Sequence, residues 1–319
     1  MDKLDKLNGM FIGGFLGDAL GAPFEFRRSI SVSMYRGVLE HSVILPRQWH
    51  EDLKFPAGTF TDDSLMTLAM IKSIVENNNY IKDDVTLKYM EFANNTSMLG
   101  RNTRAILKGV KTLGGYKNRT KKISPTNESN GPLMRASPLA IFSNFLTWTE
   151  DVSITNISQA NYISNIIYVQ ALRYAIDGHT KDEIMTLAET LSSQYGNQDI
   201  ILAIQQAKSG IKRNLDERIQ IDGKNRSNKG WVVHGIYSAF WALYNFNNLK
   251  DGIDSVILLG GDTDTNAKIA GDLMGAYYGY TEMMKDETNV YNAKLIFQIN
   301  KLDTFNTDIQ KLSQLYQTV

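Results

Sequence analysis

Asp62 and Asp63 stand side by side in GTFTDDSLMTLAM (Gly58–Met70), directly ahead of an apolar run. Far along the chain, LLGGDTDTNAKIAGDLMGAYYG (Leu258–Gly279) repeats the arrangement with Asp262 and Asp264. Carboxylates and hydroxyls so placed suit a hard divalent cation such as Mg2+ or Mn2+, which takes oxygen ligands. The plainer alternative is helix capping, since Thr and Asp are good N-caps and acids in a first turn are favoured by the macrodipole. One cap needs one side chain, whereas Asp262-Thr263-Asp264-Thr265 offers four oxygen-bearing side chains in succession. Adjacent acids at a helix start point different ways, so one can face a metal while the other caps or bridges. Two such helix starts, packed together, would accommodate two metals about 4 Å apart, an arrangement that activates water. The chain has no cysteine, which excludes thiolate ligands, disulfides and a cysteine nucleophile, and none of its four histidines has zinc-ligand spacing.

Helices must position these acids. Apolar residues recur at three- and four-residue spacing over Leu65–Val75, Ile163–Ile176, Ile184–Leu191, Val232–Tyr244 and Ala267–Tyr278. Strand alternation is scarce, with Arg218–Asp222 the best candidate. The pattern predicts an all-α fold, and we take the whole chain, 1–319, as one domain. Gly9, Gly13, Gly17 and Gly21 fall every fourth residue, as do Gly271, Gly275 and Gly279. Residues four apart share a helix face, and a glycine costs a helix about 1 kcal/mol against alanine. The stripes therefore mark the first helix and the Ala267–Tyr280 helix as central and closely packed. GGFLG (Gly13–Gly17) lacks the spacing and the preceding strand of a dinucleotide fingerprint. Three stretches read as long loops: Pro23–Pro56, with Arg27, Arg28, Trp49 and His50; Tyr116–Pro132; and the basic, polar Lys212–Gly230, expected to be a surface insertion.

The 319 residues are 43% hydrophobic, and 34 basic side chains balance 34 acidic ones, so no global field attracts nucleic acid or anionic membrane. The start shows no basic-then-apolar leader and no stretch is long enough to span a bilayer, which makes the cytoplasm the expected location.

Four segments in order, GDALGAPFEF (Gly17–Phe26), GTFTDDSLMTLA (Gly58–Ala69), SNGPLMRASPLA (Ser129–Ala140) and GGDTDTNAKIAG (Gly260–Gly271), resemble the ADP-ribosylglycohydrolase family of the dinitrogenase reductase-activating type. GWVVHGIYSAFWAL (Gly230–Leu243) resembles the helix before its last motif. The resemblance implies a compact orthogonal bundle of roughly a dozen helices around a binuclear Mg2+ or Mn2+ centre. It implies Thr61, Asp62, Asp63, Asp262, Asp264 and Thr265 as metal ligands, and hydrolysis of the glycosidic bond between ADP-ribose and an acceptor. Glu25 matches an acid that in some relatives acts in catalysis or gates the metals, while Asp18 reads as a structural helix acid. Asn130, Gly131, Leu133, Met134 and Arg135 match the loop that holds diphosphate and ribose. Pro132 has no N–H to give, so Gly131, Leu133 and Met134 would supply the donors; Arg135 either pairs with phosphate or binds carbonyls inside the fold. Gly100, Asn102 and Thr103 match a substrate-facing loop. Arginine-specific members place an aspartate there, and no acid stands between Phe92 and Lys111. Asn156 replaces an expected histidine, implying a different contact on the adenine or ribose side.

The expected mechanism is metal-assisted hydrolysis through an oxocarbenium-like transition state, with Asp62, Asp63 or Glu25 as base or acid. The expected partner is an ADP-ribosylated protein or a small-molecule ADP-ribose conjugate, acted on by a monomer. Membranes are not expected partners, nor is nucleic acid in general, though ADP-ribosylated nucleic-acid ends stay open. Two alternatives stand: a non-catalytic ADP-ribose-binding module, and a metal-dependent nucleotide phosphohydrolase, which would release phosphate or AMP.

Overall fold

The computed structural model describes residues 2–26, 34–44, 53–216, 218–221, 224–227 and 230–318. Sixteen α-helices lie among them. They are α1 (Lys3–Gly21), α2 (Asp62–Asn77), α3 (Lys82–Asn95), α4 (Arg101–Leu107), α5 (Leu113–Thr120), α6 (Gly131–Met134), α7 (Phe145–Thr155) and α8 (Gln159–Asp177). The chain continues with α9 (Lys181–Tyr195), α10 (Gln198–Lys208), α11 (Val232–Asn245), α12 (Leu249–Ile257), α13 (Thr263–Tyr278), α14 (Tyr280–Met283), α15 (Glu287–Asn300) and α16 (Phe305–Thr318). The fold is all-α, as expected. Four of the helices (α4, α5, α6 and α14) span eight residues or fewer, too short to show apolar periodicity, and they are the excess over the dozen expected. The described strands form two antiparallel pairs, β1 (Val43–Ile44) with β2 (Lys54–Phe55) and β3 (Arg218–Ile221) with β4 (Lys224–Ser227). The expected strand is β3; Asp222 lies outside the described residues, as do Arg27, Arg28, Trp49 and His50.

Helices α1 and α13 make the most extensive interhelical contact and form the axis of the molecule. From Gly9 to Gly21 every residue of α1 is buried, and so is every residue of α13 from Thr263 to Ala276, the mark of a core helix. The glycine stripes face each other here. A Cβ on Gly271 would lie 2.7 Å from the carbonyl carbon of Gly13, and one on Gly21 would lie 2.5 Å from the Cα of Asp264. Gly279 stands past the helix end with φ of 85°, closing α13 rather than extending its stripe. Gly271→Ala would gain about 1 kcal/mol of helix propensity but force backbone against backbone. We expect the clash to win at or beyond the roughly 1–3 kcal/mol of ordinary overpacking, read as a lower urea midpoint. An unchanged midpoint would contradict the close packing.

The other helices wrap this axis. Helix α11 packs on α13 and α10, α12 packs on α13, and α2 reaches both α1 and α13. Their apolar faces join one continuous cluster that runs from Leu7 to Tyr316. Local signals set the boundaries: Thr180 and Glu183 form a reciprocal capping box at the start of α9, and left-handed Gly178 and Gly196 end α8 and α9. No described helix is long and apolar enough to cross a membrane. The outcome for function is that the N-termini of α2 and α13 meet beside the C-terminus of α1.

Candidate metal centre

At that meeting point six carboxylates converge: Asp18 from α1, Glu25 just beyond it, Asp62 and Asp63 at the head of α2, and Asp262 and Asp264 at the head of α13. One ligand oxygen from each of Asp18, Asp63 and Asp264 lies within 4.8 Å of the others, and the same holds for Glu25, Asp262 and Asp264. Asp264 belongs to both groups.

Local chain geometry builds each half. Thr61 caps α2 through its side chain, which accepts from Asp63 N. Asp62 and Asp63 are thereby spared that duty. On the other side Asp262 occupies the cap position of α13 but makes no side-chain cap bond. Gly260 and Gly261 precede it with φ of 76° and 78°, a double left-handed turn open to glycine at little cost. Gly261 also accepts from Phe26 N at 2.9 Å, tying the Glu25 turn to the second acid cluster. Capping therefore does not account for these acids.

Several of their oxygens are held in place. Asp62 Oδ2 accepts from Gly100 N at 3.0 Å, and Asp262 Oδ2 accepts from Asn130 Nδ2 at 2.7 Å. Asp264 Oδ1 accepts from Thr265 N at 2.9 Å. Asp63 Oδ1 is buried with no hydrogen-bond partner. Among the described residues no Lys, Arg or His forms an ion pair with any of the six. An orphaned carboxylate oxygen amid uncompensated negative charge is costly, and a cation bound by oxygen ligands is the group whose chemistry this donor set fits.

Burial, followed by the neighbouring carboxylates, pushes Glu25, Asp63 and Asp264 well above the usual carboxylate range. Asp62 is pushed up to about 6 by burial, which the Gly100 N–H opposes. Burial also raises Asp18 and Asp262, against hydrogen bonds from Ser64 and Thr61 in the first case and contacts that include Asn130 in the second. Raised carboxyls hold protons that the unfolded chain has already shed, so without metal, stability falls as pH rises from about 4 through 6 and beyond. Cation binding opposes that loss and itself strengthens as the ligands deprotonate. EDTA is expected to lower the Tm of the metal-loaded protein more at pH 8 than at pH 5. Equal shifts would detach the acids from the metal.

Five of these carboxylates, all but Asp18, form the floor of a cleft of about 990 Å³, at the upper end for small-ligand sites. Of the residues singled out in the sequence, Glu25, Thr61, Asp62, Asp63, Gly100, Asn102, Thr103, Asn130, Gly131, Met134, Asp262, Asp264 and Thr265 all line it. Leu133 and Arg135 do not. Leu133 is buried, and its N–H and that of Met134 both donate to Asn130 O, at 2.9 and 3.1 Å. Neither N–H is free for a diphosphate, which corrects that expectation. Arg135 is fully buried: Nε meets Asp151 Oδ2 at 2.8 Å, and the other guanidinium nitrogens donate to Asp151 O, Thr155 Oγ1 and Gly131 O. Arg135 thus binds inside the fold and is not a phosphate ligand. Asn156, also fully buried, lies outside the cleft lining and donates its amide to Asn127 O and Ser129 Oγ, which fastens the cleft segment before α6. Asn102 joins the same network, donating to Thr155 O and Asn156 Oδ1.

Among the lining residues that sequence reasoning missed are Trp231 and Glu128, joined by a 2.7 Å hydrogen bond from Nε1. Their distance along the chain left no local signal. Gly230 is another, where a Cβ would lie 3.2 Å from Asp262 Oδ2.

Residues 1–307 match the family model described as ADP-ribosylglycohydrolase. A putative ADP-ribosyl glycohydrolase of Acanthamoeba polyphaga mimivirus is 27% identical over 284 residues, 84% of this chain and 85% of the relative. The ADP-ribosylarginine hydrolase Tri1 of Pseudomonas putida is 27% identical over 300 residues, 88% of this chain and 72% of the relative. A solved structure titled ADP-ribosylglycohydrolase-related protein complex superposes with a TM-score of 0.71 at 20% identity, covering 99% of this chain and 98% of the other, a likeness of fold.

Proposed function

The chain belongs to the ADP-ribosylglycohydrolase family, and from that premise we propose that its acid-floored cleft is the active site of an enzyme that removes ADP-ribose from its acceptor. The reaction is hydrolysis of the glycosidic bond at the ribose, a reversal of ADP-ribosylation, in a metal-dependent family. The observation that carries this reading is the convergence of unpaired carboxylates, five of which (Glu25, Asp62, Asp63, Asp262 and Asp264) line one cleft.

Asp63, Asp262 and Asp264, with Thr61 and Thr265, are buried and would hold two Mg2+ or Mn2+ ions, with Asp62 completing the set. Bound cations of this kind polarise substrate oxygens and lower the pKa of water. The protein's own part is positioning and proton transfer. Glu25 and Asp62 are the two acids of the group that keep partial exposure to the cleft, so they are the ones able to exchange protons with substrate and water. Glu25, pushed up by burial and its neighbours, suits the acid that protonates the leaving acceptor. Asp62 suits the base. The flat indole of Trp231, held by Glu128, gives the cleft one large apolar surface. The chain acts as a monomer on ADP-ribosylated protein or on a small-molecule conjugate.

The test uses proteins ADP-ribosylated on arginine and on serine, followed by mass spectrometry. Release of intact ADP-ribose is the expected product. Release of phosphate or AMP would replace this reading with phosphohydrolysis, and tight ADP-ribose binding without any hydrolysis would replace it with a binding module.

A further inference from the structure

Asp18 is fully buried beneath the acid floor and gathers hydrogen bonds from the head of α2, 43 residues away in sequence. Thr61 N donates to both of its oxygens, at 3.3 and 3.2 Å, Ser64 N donates to Oδ2 at 3.1 Å, and Thr61 Oγ1 lies 2.8 Å from Oδ1. The same hydroxyl oxygen lies 2.9 Å from Asp63 Oδ2. A hydroxyl has one proton and two lone pairs, so it can donate to one carboxylate at a time. The two backbone N–H groups fix the Asp18 carboxylate squarely against Thr61, whereas Asp63 leaves its other oxygen, Oδ1, without any partner.

We propose that Asp18 is a positioning residue: it accepts the hydrogen bond of the Thr61 hydroxyl, so that the Thr61 Oγ1 lone pair not engaged by Asp63 N is left for a cation on the Asp63 side. The inference rests on the metal-centre reading given above and adds to it a residue that acts through Thr61. An amide in place of Asp18 would turn a donor toward Thr61 N and Ser64 N or toward the hydroxyl, and the hydroxyl proton would then swing to the metal side. Outer-shell partners of this kind govern metal affinity by about 10–100-fold.

The experiment is calorimetric titration with Mn2+ alone, on the metal-stripped full chain. Asp18→Asn is expected to raise the Mn2+ Kd about tenfold or more. Because Asp18 acts through Thr61, adding Asp18→Asn to a Thr61→Val chain should change Kd much less than adding it to the parent. A folded Asp18→Asn protein with the parent's Kd would overturn the proposal, and so would full multiplication of the two effects. If Asp18→Asn does not fold, Asp18→Ser keeps an acceptor without adding an amide donor; failure of both to fold, even in Mn2+, would make Asp18 a core residue and overturn it equally. Absence of Mn2+ binding by the parent would instead overturn the metal centre itself, and this inference with it.

Discussion

Asp262→Ala and Asp264→Ala are each expected to lower kcat/KM by on the order of a thousandfold, the several kcal/mol that a metal centre contributes to charge stabilisation at about 1.4 kcal/mol per tenfold. Asp264 should show the larger loss, because its carboxylate belongs to both groups of converging oxygens. The far-UV circular dichroism should stay that of the parent, since neither residue supplies the side-chain cap bond of its helix: Asp262 makes none, and Asp264 accepts from the next residue's N–H. A second consequence separates this account from a purely structural one. In EDTA at neutral pH both variants should melt no lower than the parent, because each removes one buried carboxylate from a crowd of like charges. Normal turnover in either variant would sink the assignment of these acids to the metal, and a large loss of metal-free stability would return them to the role of helix caps.

The other large effect falls on a residue outside the cleft. Arg135→Ala is expected to destabilise the fold by about 3–5 kcal/mol, the usual cost of leaving one partner of a buried ion pair alone. Asp151 would be stranded with only Tyr89 OH, at 3.1 Å, left from its cluster, and Tyr89 would lose the guanidinium that lies 4.9 Å from its ring centroid. Activity should fall as well. Arg135 donates to Gly131 O, the residue after Asn130, and Asn130 holds Asp262. The double change Arg135→Met with Asp151→Leu should recover much of the stability, since apolar replacement of a buried pair is often neutral. Equilibrium urea unfolding would read both. A loss under about 1 kcal/mol for Arg135→Ala would contradict the buried pairing.

How far the sequence could be read follows from where each residue finds its partner. The acid clusters were visible because their members adjoin one another, and the glycine stripes because four-residue spacing is a local signal. From these came the two central helices and the close approach that brings the heads of α2 and α13 together. Arg135 stood open between two readings because its partner, Asp151, lies on another helix. The sequence does not show that the N–H groups of Leu133 and Met134 are engaged, because α6 is a four-residue helix without periodicity, and both turn back to the Asn130 carbonyl. In sequence Asn156 suggests an altered substrate contact, but the fold turns its amide toward the chain segment of Asn127 and Ser129. Asp18 read as a helix acid of structural purpose because nothing local reveals Thr61. The same limit hid the Trp231–Glu128 pair.

The most direct test of the central claim is release of intact ADP-ribose from an ADP-ribosylated protein, followed before and after EDTA and again after Mn2+ or Mg2+ is returned. The account predicts release that EDTA abolishes and the added cation restores. Release that proceeds undiminished in EDTA would contradict it, because the six converging carboxylates would then be doing their work without the cation they are arranged to hold.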